Sequence, residues 1–297
     1  MVKNICVLGG MNMDIIGAPA EELCLKDSTP GRVQLTPGGV GRNMAENLVR
    51  MGFKVELMAP IGNDAFAKLL QESCLKQGIS LRHAPRLPLP SGVYLCVLDN
   101  NGDMHIAIND VMICSAIKPQ MIGMGVINAS DGLLLDANLP VPVLEHVALK
   151  ANVPIIADPV SAVKANRLLT ILPRLTAIKP NLAEAQALTG KTDPMLCAKS
   201  LCCMGVKRAF VSAGPDGIYY CEGESSGHAQ IPAAKTVLNA TGAGDSATAA
   251  IAAGCLLGYP IEKTARLACR VAALTLQALS AVSPELSASI LDIVAPK

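Results

Sequence analysis

Residues 5–14 read Ile5-Cys6-Val7-Leu8-Gly9-Gly10-Met11-Asn12-Met13-Asp14. A short apolar run that stops at two glycines is a buried strand turning at its carboxyl end. In an α/β protein that turn decides between architectures. A dinucleotide-binding fold needs G-x-G-x-x-G and a helix straight after it. Here the glycines are adjacent, position 13 is Met, and Ile15-Ile16-Gly17-Ala18-Pro19 looks extended. The dinucleotide fingerprint therefore fails, which disfavours a nicotinamide-dependent dehydrogenase, a class that NAD(H) binding would test. What remains is Asn12 and Asp14 just past a strand's carboxyl end. Their amide and carboxylate suit sugar hydroxyls; an ordinary capped turn is the other reading.

Outward from this strand the chain alternates. Gly41–Met51 reads as a helix closed by Gly52, Val55–Ala59 as a strand, and Ala65–Gln77 as a helix ended by Gly78. Gly132–Leu135, Pro154–Ala157, Leu175–Ile178, Ala209–Ser212 and Ile218–Cys221 read as further strands, with helices between most of them. This rhythm predicts a mostly parallel sheet covered on both faces. Two stretches break it. Residues 15–37 contain no clear helix, and 91–109 read as a hairpin turning at Asp99-Asn100-Asn101-Gly102-Asp103. Both are expected to form a small antiparallel sheet beside the main one. No repeat or linker divides the chain, and from Ala243 it is Ala-rich and helical.

Composition excludes several classes. Of 297 residues, 51% are hydrophobic and 16% charged, enough for a large core and too apolar for a disordered chain. Lys and Arg number 25 against 24 Asp and Glu, and aromatics are 2% with no Trp. Such a chain has neither a basic stripe for phosphates nor rings to stack bases, so nucleic acid is not an expected partner. Nor is a membrane: the charge-free run from Ser246 to Ile261 is short and broken by Gly254, Gly258 and Pro260. The N-terminus lacks the shape of a signal peptide, and the expectation is cytoplasmic. Eleven cysteines without a C-x-x-C, and four scattered histidines, read as reduced, mostly buried thiols rather than zinc ligands.

Three further motifs carry chemistry. Thr36-Pro37-Gly38-Gly39-Val40-Gly41-Arg42-Asn43 leads into the first amphipathic helix. Gly38 and Gly39 permit close backbone approach, and Asn43 sits in the helix's first turn. Asn239-Ala240-Thr241-Gly242-Ala243-Gly244-Asp245 opens the Ala-rich helix. Glycines at a helix start make an anion site. An Asp in that turn repels the anion, which makes sense if its carboxylate meets the hydroxyl that attacks a phosphate. One turn then supplies both oxyanion donors and base. The helix N-terminus is expected to depress this Asp, leaving a weak base, which a loose phosphoryl-transfer transition state tolerates. Lys179-Pro180-Asn181-Leu182-Ala183-Glu184 follows a strand and puts Asn181 and Glu184 on one face, as a capping box or as holders of a Mg²⁺ water shell. Val211-Ser212-Ala213-Gly214-Pro215-Asp216-Gly217 joins two strands, as a tight turn or as a nucleotide border. Thr189-Gly190-Lys191-Thr192 is not a phosphate loop, because Ala185 stands where its first glycine belongs; Gly190 reads as a helix end.

Taken together and in this order, these motifs resemble the ribokinase-like family of carbohydrate and nucleoside kinases, over essentially the whole chain. Segments 27–31, 36–43 and 107–110 are most similar to its nucleoside-phosphorylating members. Ribokinase usually carries Lys-Gly-Ala-Asn after its glycine pair, whereas this chain has Val40-Gly41-Arg42-Asn43. The resemblance implies a three-layer α/β sandwich with a mostly parallel sheet. It also implies one domain over 1–297, with a β-strand lid from insertions at about 15–37 and 91–109. It implies ATP and Mg²⁺, admits a monovalent cation, and suggests a homodimer through the lid. Asp245 is then the catalytic base, and Gly242, Ala243 and Gly244 complete the anion hole. Asn12, Asp14, Gly38, Gly39, Asn43 and Asn138 take the sugar, while Thr29 and Asn109 read a base. Asn181, Ser212, Gly214 and Gly217 border ATP, and Glu184 serves the metal. A free-sugar acceptor such as ribose, another nucleoside, and a non-catalytic sensor stay open.

Overall fold

Strand β1 (Asn4–Leu8) serves two cores at once. Ile5 and Val7 join one apolar cluster, while Cys6 and Leu8 join the other. That is why a parallel strand covered on both faces reads as an unbroken apolar run. In the computed structural model, which describes residues 2–232, 237, 238 and 240–292, it lies near one side of an eight-stranded sheet. Asn239 falls outside the described residues.

In chain order the other strands are β2 (Asn12–Pro19), β3 (Gly31–Gly38), β4 (Lys54–Met58), β5 (Gly92–Leu98), β6 (Met104–Asp110) and β7 (Gly132–Asp136). They continue with β8 (Ile155–Asp158), β9 (Ala177–Ile178), β10 (Arg208–Ser212), β11 (Ile218–Glu222) and β12 (Ser225–Ala229). The helices are α1 (Val40–Arg50), α2 (Ala65–Lys76), α3 (Met112–Ser115), α4 (Met124–Asn128) and α5 (Val141–Lys150). They continue with α6 (Ala162–Ala165), α7 (Leu182–Thr189), α8 (Pro194–Cys203), α9 (Ala243–Leu256) and α10 (Ile261–Leu276). The larger sheet runs β12-β11-β10-β9-β8-β7-β1-β4, parallel from β4 to β10 and antiparallel beyond. Helices α1, α2, α9 and α10 cover one face and α5, α7 and α8 the other, giving three layers. Alanine lets α9 pack closely against both α10 and α1, so its N-terminus reaches the carboxyl ends of the central strands.

The second sheet, β3-β2-β5-β6, comes from the two stretches that broke the rhythm. It is mixed, not antiparallel: β2 and β5 pair parallel, from Asn12↔Gly92 to Gly17↔Val97. The reason is connectivity. Helices α1 and α2 and strand β4 intervene between β3 and β5, a connection long enough to return the chain in the same direction. Strand β12 was not expected from its Ser-Ser-Gly-His-Ala composition; it forms by completing a hairpin with β11. Gly190, at φ 69°, closes α7 as expected. All eleven cysteines are free, and most are buried. Among the described residues, no helix is long and apolar enough to cross a membrane.

Candidate active site

The carboxyl ends of β1, β7, β8 and β9 and the first turns of α1 and α9 bring the sequence motifs together. Asp136, at the end of β7, is fully buried and accepts from the Gly10 amide at 2.8 Å and the Asn138 amide at 2.9 Å. It thus ties the Gly9-Gly10 turn to the loop bearing Asn138. The Asn138 side chain accepts from Lys164 Nζ at 2.7 Å. Burial raises the Asp136 carboxyl to about 6 despite its amide donors.

Asn12 and Asp14 share one face of β2, as the strand's period of two requires. Asn12 Nδ2 donates to Asp14 Oδ1 at 2.5 Å. Burial moves the Asp14 carboxyl above its ordinary value; the Asn12 bond and the Arg42 charge act against that. Register continues the row across the sheet: Asp14 faces Thr36 and Tyr94, and Tyr94 faces Asn109. Gly38 pairs with Asn12 and lies against the Asp14 carboxylate. Gly39 begins α1 at φ +99°, where an added Cβ would stand 2.7 Å from Met11 Cα, so only glycine fits. Thr29 does not join this group. It lies beyond the Pro19↔Gly31 pair, at least five residues along the ribbon from Asp14 or roughly 16 Å, and its hydroxyl accepts from the Cys24 amide.

Asn43, in the first turn of α1, donates from Nδ2 to Asp245 Oδ2 at 2.8 Å. This bond spans 202 positions and joins the first turn of α1 to the first turn of α9. Gly242 starts α9 in the left-handed region at φ +83°, without a side-chain cap. A Cβ there would collide with the Ala281 carbonyl, and Ala243, Gly244 and Asp245 follow in the first turn. Asp245 behaves opposite to expectation: it is raised to about 7. Burial is the main cause, and the Asp158 charge adds to it; the Asn43 bond and Lys179 only partly compensate. The field of one helix end is outweighed by desolvation and by carboxylates delivered from β7 and β8.

Asn181 and Glu184 form a full capping box on α7. The Glu184 amide donates to Asn181 Oδ1 at 2.9 Å, and the Asn181 amide to Glu184 Oε2 at 2.8 Å. Glu184 is buried, and its carboxyl is raised by burial first and by Asp158 second. Ser212 sits beside Asn181, its amide donating to the Pro180 carbonyl at 2.9 Å, and Gly214 and Gly217 bound the β10–β11 turn.

Two residues here escaped sequence reasoning. Asp158 accepts from Thr248 Oγ1 at 2.5 Å and from the Val160 amide at 2.8 Å, and lies 3.8 Å from Lys179 Nζ. Val160 has φ 68°, a strained conformation for a β-branched residue, of the kind stored at functional loops. Lys179 is buried, and its Nζ lies 3.6 Å from where a Cβ on Gly244 would stand. Nothing in the sequence marks Lys179 within the Lys179–Glu184 motif; its burial beside the glycine turn that opens α9 appears only in the fold.

Glycines opening α9, the Asp245 carboxylate in the same turn and the Asn12–Asp14 pair and Asn43 across from it are an arrangement that fits a small-molecule kinase of ribokinase-like fold. The chain belongs to the pfkB family of carbohydrate kinases, which matches residues 2–288. It is 33% identical to a pseudouridine kinase of Escherichia coli (strain K12) over 300 residues, covering 98% of this chain and 96% of that protein. Its fold matches a carbohydrate kinase from Agrobacterium tumefaciens with TM-score 0.86 and 30% identity, over 99% of this chain and 97% of that one. A ribokinase of Arabidopsis thaliana shares the fold at TM-score 0.84 and 24% identity, over 100% of both chains.

Proposed function

We propose that the protein transfers the γ-phosphoryl group of ATP to the 5′-hydroxyl of pseudouridine, giving pseudouridine 5′-phosphate and ADP. The Asn43–Asp245 bond carries the reading, because it joins the base candidate to the helix that follows the Gly38-Gly39 pair. Asn12, Asp14, Gly38, Gly39 and Asn138 hold the ribose. Asp245 takes the hydroxyl proton as the oxygen–phosphorus bond forms. Amides of Gly242, Ala243 and Gly244 receive the transferring oxygens, with Lys179 beside them. Ser212, Gly214 and Gly217 border the nucleotide. A base near 7 suits this work better than a depressed one, since it ionises around neutrality yet retains proton affinity.

Among the described residues, no three Asp, Glu, His or Cys side chains gather closely enough to ligate a metal by themselves. Mg²⁺ arriving on a triphosphate keeps several waters and needs only one or two carboxylates, so Glu184, with Asn181 beside it, fits as an outer partner. The metal would neutralise phosphate charge in a cleft rich in carboxylates.

The acceptor reading is supported by the likeness to pseudouridine kinase and by the Asp14–Tyr94–Asn109 row, which continues the face of β2 bearing Asp14 across β5 and β6. Turnover of pseudouridine, uridine, adenosine and ribose with ATP and Mg²⁺ tests it. Pseudouridine is expected to lead uridine by about 10-fold or more in kcat/KM, as for a site that pairs a polar edge its competitor lacks. Preference for ribose would remove the base-reading role from Asn109.

The β3-β2-β5-β6 sheet then acts as a lid, and its opposite face supports self-association. Leu35, Leu95 and Ile108 share one row there, and Val33 and Ile106 lie beside them, all exposed. A second copy covering this face fits its apolar character. Sedimentation is expected to give a dimer that Ile108→Glu converts to monomer; a monomeric parent protein refutes the proposal. Free, mostly buried thiols fit a reducing cytoplasm.

A further inference from the structure

Arg42 stands in the first turn of α1, next in sequence to Asn43. Consecutive residues on a helix point in different directions, so contact between their side chains is not a packing default. Yet Arg42 Nη1 donates to Asn43 Oδ1 at 3.2 Å. The guanidinium is bent into that position by Glu46, one turn on, whose Oε2 accepts from Nη2 at 2.5 Å. Glu46 is itself clamped from the far side, with Oε1 accepting from Arg50 Nε at 3.0 Å and Nη2 at 2.8 Å. Nη2 of Arg42 also reaches Ser73 Oγ at 3.4 Å. Arg42 is only 6% exposed, and its buried Nε has no hydrogen-bond partner. A guanidinium placed only to neutralise Glu46 has no need to leave one donor unpaired.

We propose that Arg42 is a positioning residue for phosphoryl transfer, fixing the Asn43 amide in the single orientation that donates to Asp245. An asparagine amide can sit either way round, with opposite hydrogen-bonding consequences. As found, Oδ1 faces the guanidinium and Nδ2 faces the Asp245 carboxylate. Reversed, two acceptors would meet at Asp245 and two donors at Arg42. Arg42 thus makes the reversed orientation unfavourable at both ends. Lysine could satisfy Glu46 as a point charge but lacks the planar fork that also reaches the amide. The chain Glu46–Arg42–Asn43–Asp245 carries this orientation from the buried face of α1 to the acceptor hydroxyl.

The inference rests on Asp245 as the base, so the experiment carries Asp245→Asn as a control. Arg42→Lys, Asn43→Ala and the double variant are compared with the parent protein in kcat, nucleoside KM and thermal midpoint. Arg42→Lys is expected to lower kcat about 10-fold with KM changed less than about 3-fold, and to change kcat less than about 2-fold when Asn43 is already Ala. Equal losses in both backgrounds would mean that Arg42 acts independently of Asn43 and would overturn the proposal. So would an unchanged kcat in Arg42→Lys. If that variant does not fold, Arg42→Met with Glu46→Met removes both charges together, avoiding an orphaned carboxylate, and the same comparison is made. An active Asp245→Asn protein would refute the base assignment itself. An inactive one with an indifferent Arg42→Lys refutes only the positioning role.

Discussion

Asp245→Asn is expected to lower kcat by about 10²–10⁴-fold, the range for loss of a positioned general base, while making the protein more stable above neutral pH. Both effects have one cause. The carboxyl is raised to about 7 in the folded chain, because burial and the Asp158 charge disfavour its ionised form. An unfolded Asp ionises near 3.9. Between these values the folded state holds a proton that the unfolded state has released. Asp245 therefore favours the fold fully below about pH 4, and that contribution is lost as pH rises through about 7. Above that, the protein bears the cost of an ionised carboxylate in the cleft. Asparagine never ionises and can still accept from Asn43. The variant's advantage in thermal midpoint should thus grow from pH 5 to pH 8. With partial exposure discounted, it should reach on the order of 1–3 kcal/mol, or a few degrees. Asp136, Asp158 and Glu184 are common to both proteins and largely cancel. In the parent enzyme, kcat/KM should rise with pH through an inflection near 7. Near-normal turnover of Asp245→Asn would end the mechanism. A midpoint difference that ignores pH would mean the carboxyl is not raised.

The sign of that shift shows where the sequence stops being informative. The glycines before Asp245 announce a helix start, and the local field of a helix start points downward. The opposing charges come from Asp136 and Asp158, more than eighty residues earlier, and only the parallel order β7-β8-β9 delivers them. Periodicity and glycine placement suffice for the central strands, for α1 and for the end of α7, because those features are local. The direction of β5 relative to β2 is not local. It depends on the intervening α1, β4 and α2, and the apolar alternation reads the same whichever way the strand runs. Asp158 and Lys179 were missed for a related reason. In Asp158-Pro159-Val160 nothing looks unusual until the backbone shows valine at φ 68°. Lys179 looks like an ordinary surface lysine until burial removes that reading.

Lys179→Met is expected to lower kcat/KM for ATP by about 10²–10³-fold, the loss seen when a preorganised donor to a transition-state oxyanion is removed. The expectation comes from charge. Asp136 and Asp158 act on Asp245 at this turn, Asp158 acts also on Glu184, and against these carboxylates stands the buried ammonium of Lys179. A triphosphate entering such a place meets net repulsion unless a cation faces it, and Lys179 Nζ is beside Gly244. Its separation of 3.8 Å from Asp158 Oδ2 is loose for an ion pair in so dry a site. Asp158 already has Thr248 and the Val160 amide as donors, which leaves the ammonium free to turn toward phosphate oxygens. A purely structural lysine would give a different result: Lys179→Met would then lower the thermal midpoint by stranding Asp158, and Asp158→Asn in the same protein would restore both midpoint and rate. A phosphate-binding lysine predicts that the second substitution restores the midpoint alone. Steady-state kinetics in ATP beside melting curves of the single and double variants separate the two, and recovery of rate with stability would remove Lys179 from the chemistry.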